Sequence, residues 1–86
     1  MDINELISIV KKKLLKEINV ERLNVEDKSF LHKNHSGNQK DKFHLKLIII
    51  SSELRNMNKI ESNKKIYKIL NLELKEFIHS LQILIS

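Results

Sequence analysis

The side chains best suited to chemistry in this chain are four histidines, and three of them, His32, His35 and His44, fall in the polar stretch SFLHKNHSGNQKDKFH, residues 29–44. The same stretch holds the chain's one glycine, Gly37, while the fourth histidine, His79, opens the apolar C-terminal run. Imidazole ligates metals as the neutral base and exchanges protons near neutrality, so clustered histidines imply metal binding or proton transfer. Position alone leaves duller readings open. His32 and His35 form an H-x-x-H pair, a spacing that polar loops also collect by chance. His44 shares its phase with Lys46, as a surface residue would, and His79 fits a half-buried histidine bonded to a nearby carbonyl.

Other chemistries have less support. A zinc hydrolase wants a carboxylate placed as general base beside its histidines; Glu26 and Asp27 are near in sequence, but nothing fixes their geometry. No Ser-His-Asp arrangement or carboxylate pair stands out, and one glycine cannot make a phosphate-cradling loop. The sequence therefore reads as a non-enzyme. Cysteine is absent, which excludes disulfides, zinc–thiolate sites and thiol catalysis. Iron–sulfur clusters rest mainly on cysteine thiolates, so any cluster this chain touches must draw its thiolates from elsewhere.

The chain's 86 residues, 41% of them apolar and 31% charged, suit one small folded domain spanning 1–86. Aromatics are only 5%, so isoleucine and leucine must fill the core. The net charge of +5 is carried almost wholly by lysine, with Arg22 and Arg55 the two arginines. The run at 11–13 and the Lys64–Lys65 pair read as solvated helix faces, or else as a basic surface for nucleic acid or an acidic partner. No apolar run approaches the roughly 18–20 residues that cross a bilayer. The N-terminus carries Asp2 and places its lysines after the apolar stretch, the reverse of a secretory signal. The expected location is the cytoplasm.

The elements that must position the histidines follow from periodicity. Residues 2–18 set Ile3, Leu6, Ile7, Val10 and Leu14 on one helical stripe, with Asp2 as N-cap. RLNVED alternates as a strand. KFHLKLIIIS alternates at first, with Phe43, Leu45, Leu47 and Ile49 in one phase, then becomes the continuous apolar run of a buried strand. SSELR is a short helical turn with a serine cap. A longer helix spans about Lys59 to Lys75, and FIHSLQILI ends the chain as a strand with Phe77, His79, Leu81 and Ile83 in one phase. The fold class is thus α+β, in the order α-β-β-α-α-β, with helices layered on a small three-stranded mixed sheet. The first two strands should pair antiparallel, whereas more than 20 residues separate the second from the third and allow a parallel crossover. If those two run parallel, His79 starts its strand beside the mouth of the histidine loop, and all four histidines converge at one end of the sheet.

The ordered set of these residues resembles the BolA family. Leu23, Val25, Glu26, Ser29 and His32 stand in L-N-V-E-D-K-S-F-L-H, and His35 and Gly37 match the second histidine and glycine of the loop. His44-Leu45-Lys46 through Ile50-Ser51 match the second strand, and Leu54 takes the place of the usual phenylalanine. Tyr67, Glu73-Leu74 and Ile78-His79-Ser80-Leu81 follow in register, so the resemblance covers essentially the whole chain. There are departures. The family's R-H-R appears as Ser62-Asn63-Lys64, the glycine after the phenylalanine as Asn56, and H-A-L as His79-Ser80-Leu81.

The resemblance implies a fold similar to the type II KH topology. It also implies a partner, a monothiol glutaredoxin, with which a 2Fe-2S cluster is shared. The glutaredoxin cysteine and glutathione would supply thiolates, and this chain two imidazoles. By position those are His32 and His79, with His35 the nearest substitute for His32 and His44 a neighbour. Alone, the chain would be a cofactor-free monomer. Two imidazoles on one iron and two thiolates on the other resemble the Rieske division, which raises the reduction potential. Ligation requires neutral imidazole, so binding should weaken in acid. The alternative is a DNA-binding transcriptional regulator. A KH-type RNA grip would need a G-x-x-G loop where R-N-M-N-K stands, and stacking aromatics are missing.

Overall fold

The computed structural model describes residues 1–29 and 42–86. Seven elements follow in the order α1 (Ile3–Glu17), β1 (Arg22–Asp27), β2 (Phe43–Ile50), α2 (Ser52–Arg55), α3 (Lys59–Ile69), α4 (Asn71–Glu76) and β3 (Ile78–Ile85). The sheet order is β1-β2-β3, with β1 antiparallel to β2 and β2 parallel to β3. The mixed sheet and α+β class expected from the sequence are therefore present.

Local chemistry explains the boundaries. Asp2 caps α1 by accepting the Glu5 N–H at 2.8 Å, and its stripe of Leu6, Val10 and Leu14 is fully buried. Ser51 caps α2, accepting the Leu54 N–H at 3.2 Å while its hydroxyl donates to the Asn19 carbonyl at 2.8 Å. At α3, Asn58 and Glu61 form a reciprocal cap: Asn58 Oδ1 accepts the Glu61 N–H and Asn58 Nδ2 donates to the Glu61 carboxylate. The long helix expected from Lys59 to Lys75 is in fact two. Leu70, with φ −98° and ψ 21°, leaves the helical region between α3 and α4. Its side chain is fully buried and joins Ile66 in the core, so the break turns α4 while keeping the apolar contact.

The core is one cluster in which Leu6, Val10 and Leu14 of α1 meet Leu45, Leu47 and Ile49 of β2, Ile66 of α3 and Ile78 of β3. The alternation of β2 thus assigns Leu45, Leu47 and Ile49 to the helices and His44, Lys46 and Ile48 to the opposite sheet face. One carboxylate lies beneath the helices. Glu73 of α4 is 3% exposed, its Oε2 accepts from Lys13 Nζ of α1 at 2.6 Å, and its Oε1 has no hydrogen-bond partner among the described residues. A buried charge depends on its counter-ion far more than an exposed one. By contrast the Lys65–Glu53 pair, at 2.8 Å, is about a third exposed on both sides.

Two predictions follow from these charges. Lys13→Met should lower stability by about 1–3 kcal/mol, because it strands the Glu73 carboxylate, whereas Lys65→Met should cost less than about 1 kcal/mol. Urea denaturation of the two variants reads the difference, and equal losses would refute the special weight of Glu73. The second concerns acid. The Lys65 ammonium, and then the Asn19 N–H, hold the Glu53 carboxyl below its ordinary value of 4.5. The Ser52 hydroxyl does the same for Glu21. Folded values below unfolded ones mean stabilisation that is present above pH 4.5 and is lost as pH falls through the folded values. The double variant Glu21→Gln/Glu53→Gln should accordingly show a shallower fall of melting temperature in acid than the parent.

Candidate metal-ligating end of the sheet

Because β2 and β3 run parallel, both begin at the same end of the sheet, and that end carries the two described histidines, His44 and His79. The register there is irregular. Phe43 pairs with Ile78, but His44 pairs with Ser80, so β3 holds one extra residue, His79, opposite the Phe43–His44 step. This is a β-bulge, a feature that re-aims a side chain and occurs next to functional sites. Its consequence is visible in burial. Ile78 is 2% exposed, whereas His79 and Ser80 are both exposed, and alternation resumes only at Leu81. The half-buried histidine that strict alternation with Leu81 and Ile83 would give is not what forms: the bulge turns His79 out to solvent.

His79 meets His44 there. The two ring centroids are 5.0 Å apart with planes at 63°, an edge-to-face contact. His44 is half-buried and held on several sides. Its N–H donates to Ser29 Oγ at 3.1 Å, and its carbonyl accepts the Lys28 N–H at 2.7 Å. Ser29 is fixed in turn, its N–H donating to Asp27 Oδ1 at 2.9 Å, an Asx-type turn that ends β1. Behind the rings the Phe43 N–H donates to the Phe77 carbonyl at 2.8 Å, which locks the start of β2 against the residue preceding β3.

The ring of His44 has a side-chain partner too. Its Nδ1 lies 2.6 Å from Ser80 Oγ. A serine hydroxyl can donate or accept, so it steadies the imidazole in either tautomer. Ser80, read in the sequence as a departure from the resembled H-A-L, is the residue that gives His44 this contact. Neither the ring contact nor the Ser80 bond was foreseen for His44, which the sequence marked only as a neighbour. The available signal was the serine beside His79, whose relevance depends on the cross-strand register.

Of the expected ligands, His79 is at the described end and exposed. His32 and His35 lie outside the described residues; the described chain on either side of them, Ser29 and Lys42, stands at the His44 end. Among the described residues no three metal-ligating side chains converge, so His44 and His79 form a pair of imidazoles rather than a closed site. No helix of the described residues is long and apolar enough to cross a membrane.

This α+β layer with histidines at the parallel strand starts has clear relatives. Residues 14–86 match the model of the family described as BolA-like protein, and the chain belongs to that family. It is 34% identical over 73 residues to the DNA-binding transcriptional regulator BolA of Haemophilus influenzae, covering 85% of this chain and 68% of that one. It is 32% identical over 79 residues to the chloroplastic protein BOLA1 of Arabidopsis thaliana, covering 88% of this chain but only 49% of that relative. Among solved structures, BolA1 from Arabidopsis thaliana superposes with a TM-score of 0.78 at 30% identity, over 92% of this chain and 87% of that one. The BolA domain of SufE1 from the same plant gives 0.78 at 29% identity, over 100% and 93%.

Ser80→Ala should leave the fold intact, at a cost of about 0.5–1 kcal/mol, while shifting the ring nitrogen and carbon-bound proton resonances of His44. Unchanged His44 resonances would show that the hydroxyl does not hold the ring.

Proposed function

We propose that this chain is a non-enzymatic partner that contributes imidazole ligands to a 2Fe-2S cluster shared with a monothiol glutaredoxin and glutathione, in cluster delivery or in iron and redox sensing. The observation that carries the reading is the bulge that exposes His79 against His44, at the end of the sheet where the chain departs toward His32 and His35. A shared cluster needs donors at the surface, since its other iron must be reached by a second protein, and an exposed histidine on a rigid strand start suits that. The donor chemistry also fits a chain without cysteine: it can offer nitrogen and must take its thiolates from the partner. His79 and His32 are the proposed ligands, with His35 the substitute for His32. His44, packed edge-on against His79 and tied to Ser80, limits where the His79 ring can point, as supporting residues do around metal ligands. Family membership supports the same reading.

A second reading, DNA binding, is favoured by the similarity to the DNA-binding transcriptional regulator BolA of Haemophilus influenzae and by the net charge of +5. It predicts affinity that falls steeply with salt.

The deciding experiment reconstitutes iron and sulfide with the protein, a monothiol glutaredoxin and glutathione, and records visible circular dichroism. The expected result is a spectrum distinct from that of the glutaredoxin alone, lost or altered in His79→Ala and His32→Ala, and weakening in acid as the imidazoles protonate. A spectrum that stays that of the glutaredoxin overturns the proposal and leaves DNA binding as the leading reading.

A further inference from the structure

The lysines are not spread evenly over the helical layer. Between α1 and α3 runs a groove of about 900 Å³ whose lining includes Lys13 and Lys16 from α1 and Lys64, Lys65 and Lys68 from α3. Lys13 and Lys65 are committed to Glu73 and Glu53. Lys16, Lys64 and Lys68 are exposed and have no carboxylate partner among the described residues. Lys64 and Lys68 are four apart on one helix, where like charges repel, and Lys16 adds a third ammonium from across the groove. The floor is different in kind. Met57 and Ile69 line it and pack on the core, giving a patch of apolar surface framed by five lysines and two glutamates, Glu17 and Glu61.

We infer that this groove docks an acidic peptide segment of another protein, with apolar side chains seated on Met57 and Ile69 and carboxylates on Lys16, Lys64 and Lys68. The framing charges would select an anion, and the floor selects among anions. Helix-in-groove recognition combines spaced apolar anchors with flanking charges, and a flexible methionine adapts to such anchors. A nucleic-acid backbone fits less well. Glu17 and Glu61 also line the groove, where a chain with a phosphate at every nucleotide would meet them, while a peptide can place neutral residues opposite. No aromatic side chain lines the groove to stack a base. The surface is separate from the histidine end, because the groove lies in the helical layer while His44 belongs to the sheet phase turned away from the helices. The inference therefore does not depend on cluster binding.

The probe is a fluorescein-labelled peptide of about 15 residues, glutamates with leucines at helical spacing, titrated into the full chain and followed by anisotropy and amide NMR. Shifts confined to Lys16, Met57, Lys64, Lys68 and Ile69 are expected. Lys64→Glu/Lys68→Glu should weaken binding about tenfold or more, and Lys16→Glu, on the other helix, should weaken it in the same sense. Circular dichroism checks that each variant is folded. An all-glutamate peptide should bind more weakly than the leucine-containing one. Shifts scattered over every lysine, indifference to charge reversal, or tighter occupation of the same groove by single-stranded DNA of similar length would each overturn the inference.

Discussion

The constraint on which the histidine end depends is the parallel pairing of β2 with β3. Had the C-terminal strand run antiparallel, its first residues would lie beside Ile49 and Ile50, and His79 would be a strand's length from His44. Parallel pairing needs a crossover, and α2, α3 and α4 supply it while covering one sheet face. The register is then set at its first step, where Phe43 N–H bonds the Phe77 carbonyl and Phe43 pairs with Ile78. With Ile78 drawn into the core and Leu81 required on the same face, two residues rather than one must fit between them. The extra residue is His79. Its exposure is thus a consequence of two apolar anchors on either side of it, which makes its position stiff although its side chain is in water.

The other end of the sheet is closed by different means. Ser51 N–H donates to the Ser86 carbonyl at 3.0 Å and Ser86 N–H to the Ile49 carbonyl at 2.8 Å, extending the ladder beyond β3. Ser51 also caps α2 and bonds Asn19, so one buried hydroxyl ties the end of α1, the end of β2 and the start of the crossover. The ends of β2 therefore do separate work: one fastens the helical layer, and the other presents imidazoles.

Much of this was legible in the residues. The period of α1, the alternation of β1 and β2, and the length of the β2–β3 connection sufficed to give the mixed sheet, the element order apart from the division of the last helix, and the start of His79's strand at the His44 end. Four features were not legible, each for a physical reason. Alternation has no way to announce a bulge, because the extra residue is chosen by packing of Ile78 and Leu81 against distant helices; hence His79 read as half-buried. Leu70 has ordinary helical character, and its exit from helical geometry is imposed by the core that receives it. Glu73 looks like a solvated helix residue until α4 turns beneath Lys13. His44 and Ser80 gained significance only from their register, which no single strand encodes.

The charge distribution follows from the same layering. Lysines on α1 and α3 must lie at the edges of the helical face because the stripes between them fill the core. A helix pair with wide apolar stripes could have closed the groove with isoleucine and leucine, yet Met57 and Ile69 stop short and Lys16, Lys64 and Lys68 stand around them. Lys64 and Lys68 are like charges four apart on α3, and Glu17 and Glu61 in the same lining offset part of that positive charge. At the histidine end the imbalance is one of coordination instead: nitrogen donors are present where thiolate donors are absent from the chain. The two features lie in different layers of the fold, the lysine groove between α1 and α3 and the imidazole pair at the starts of β2 and β3.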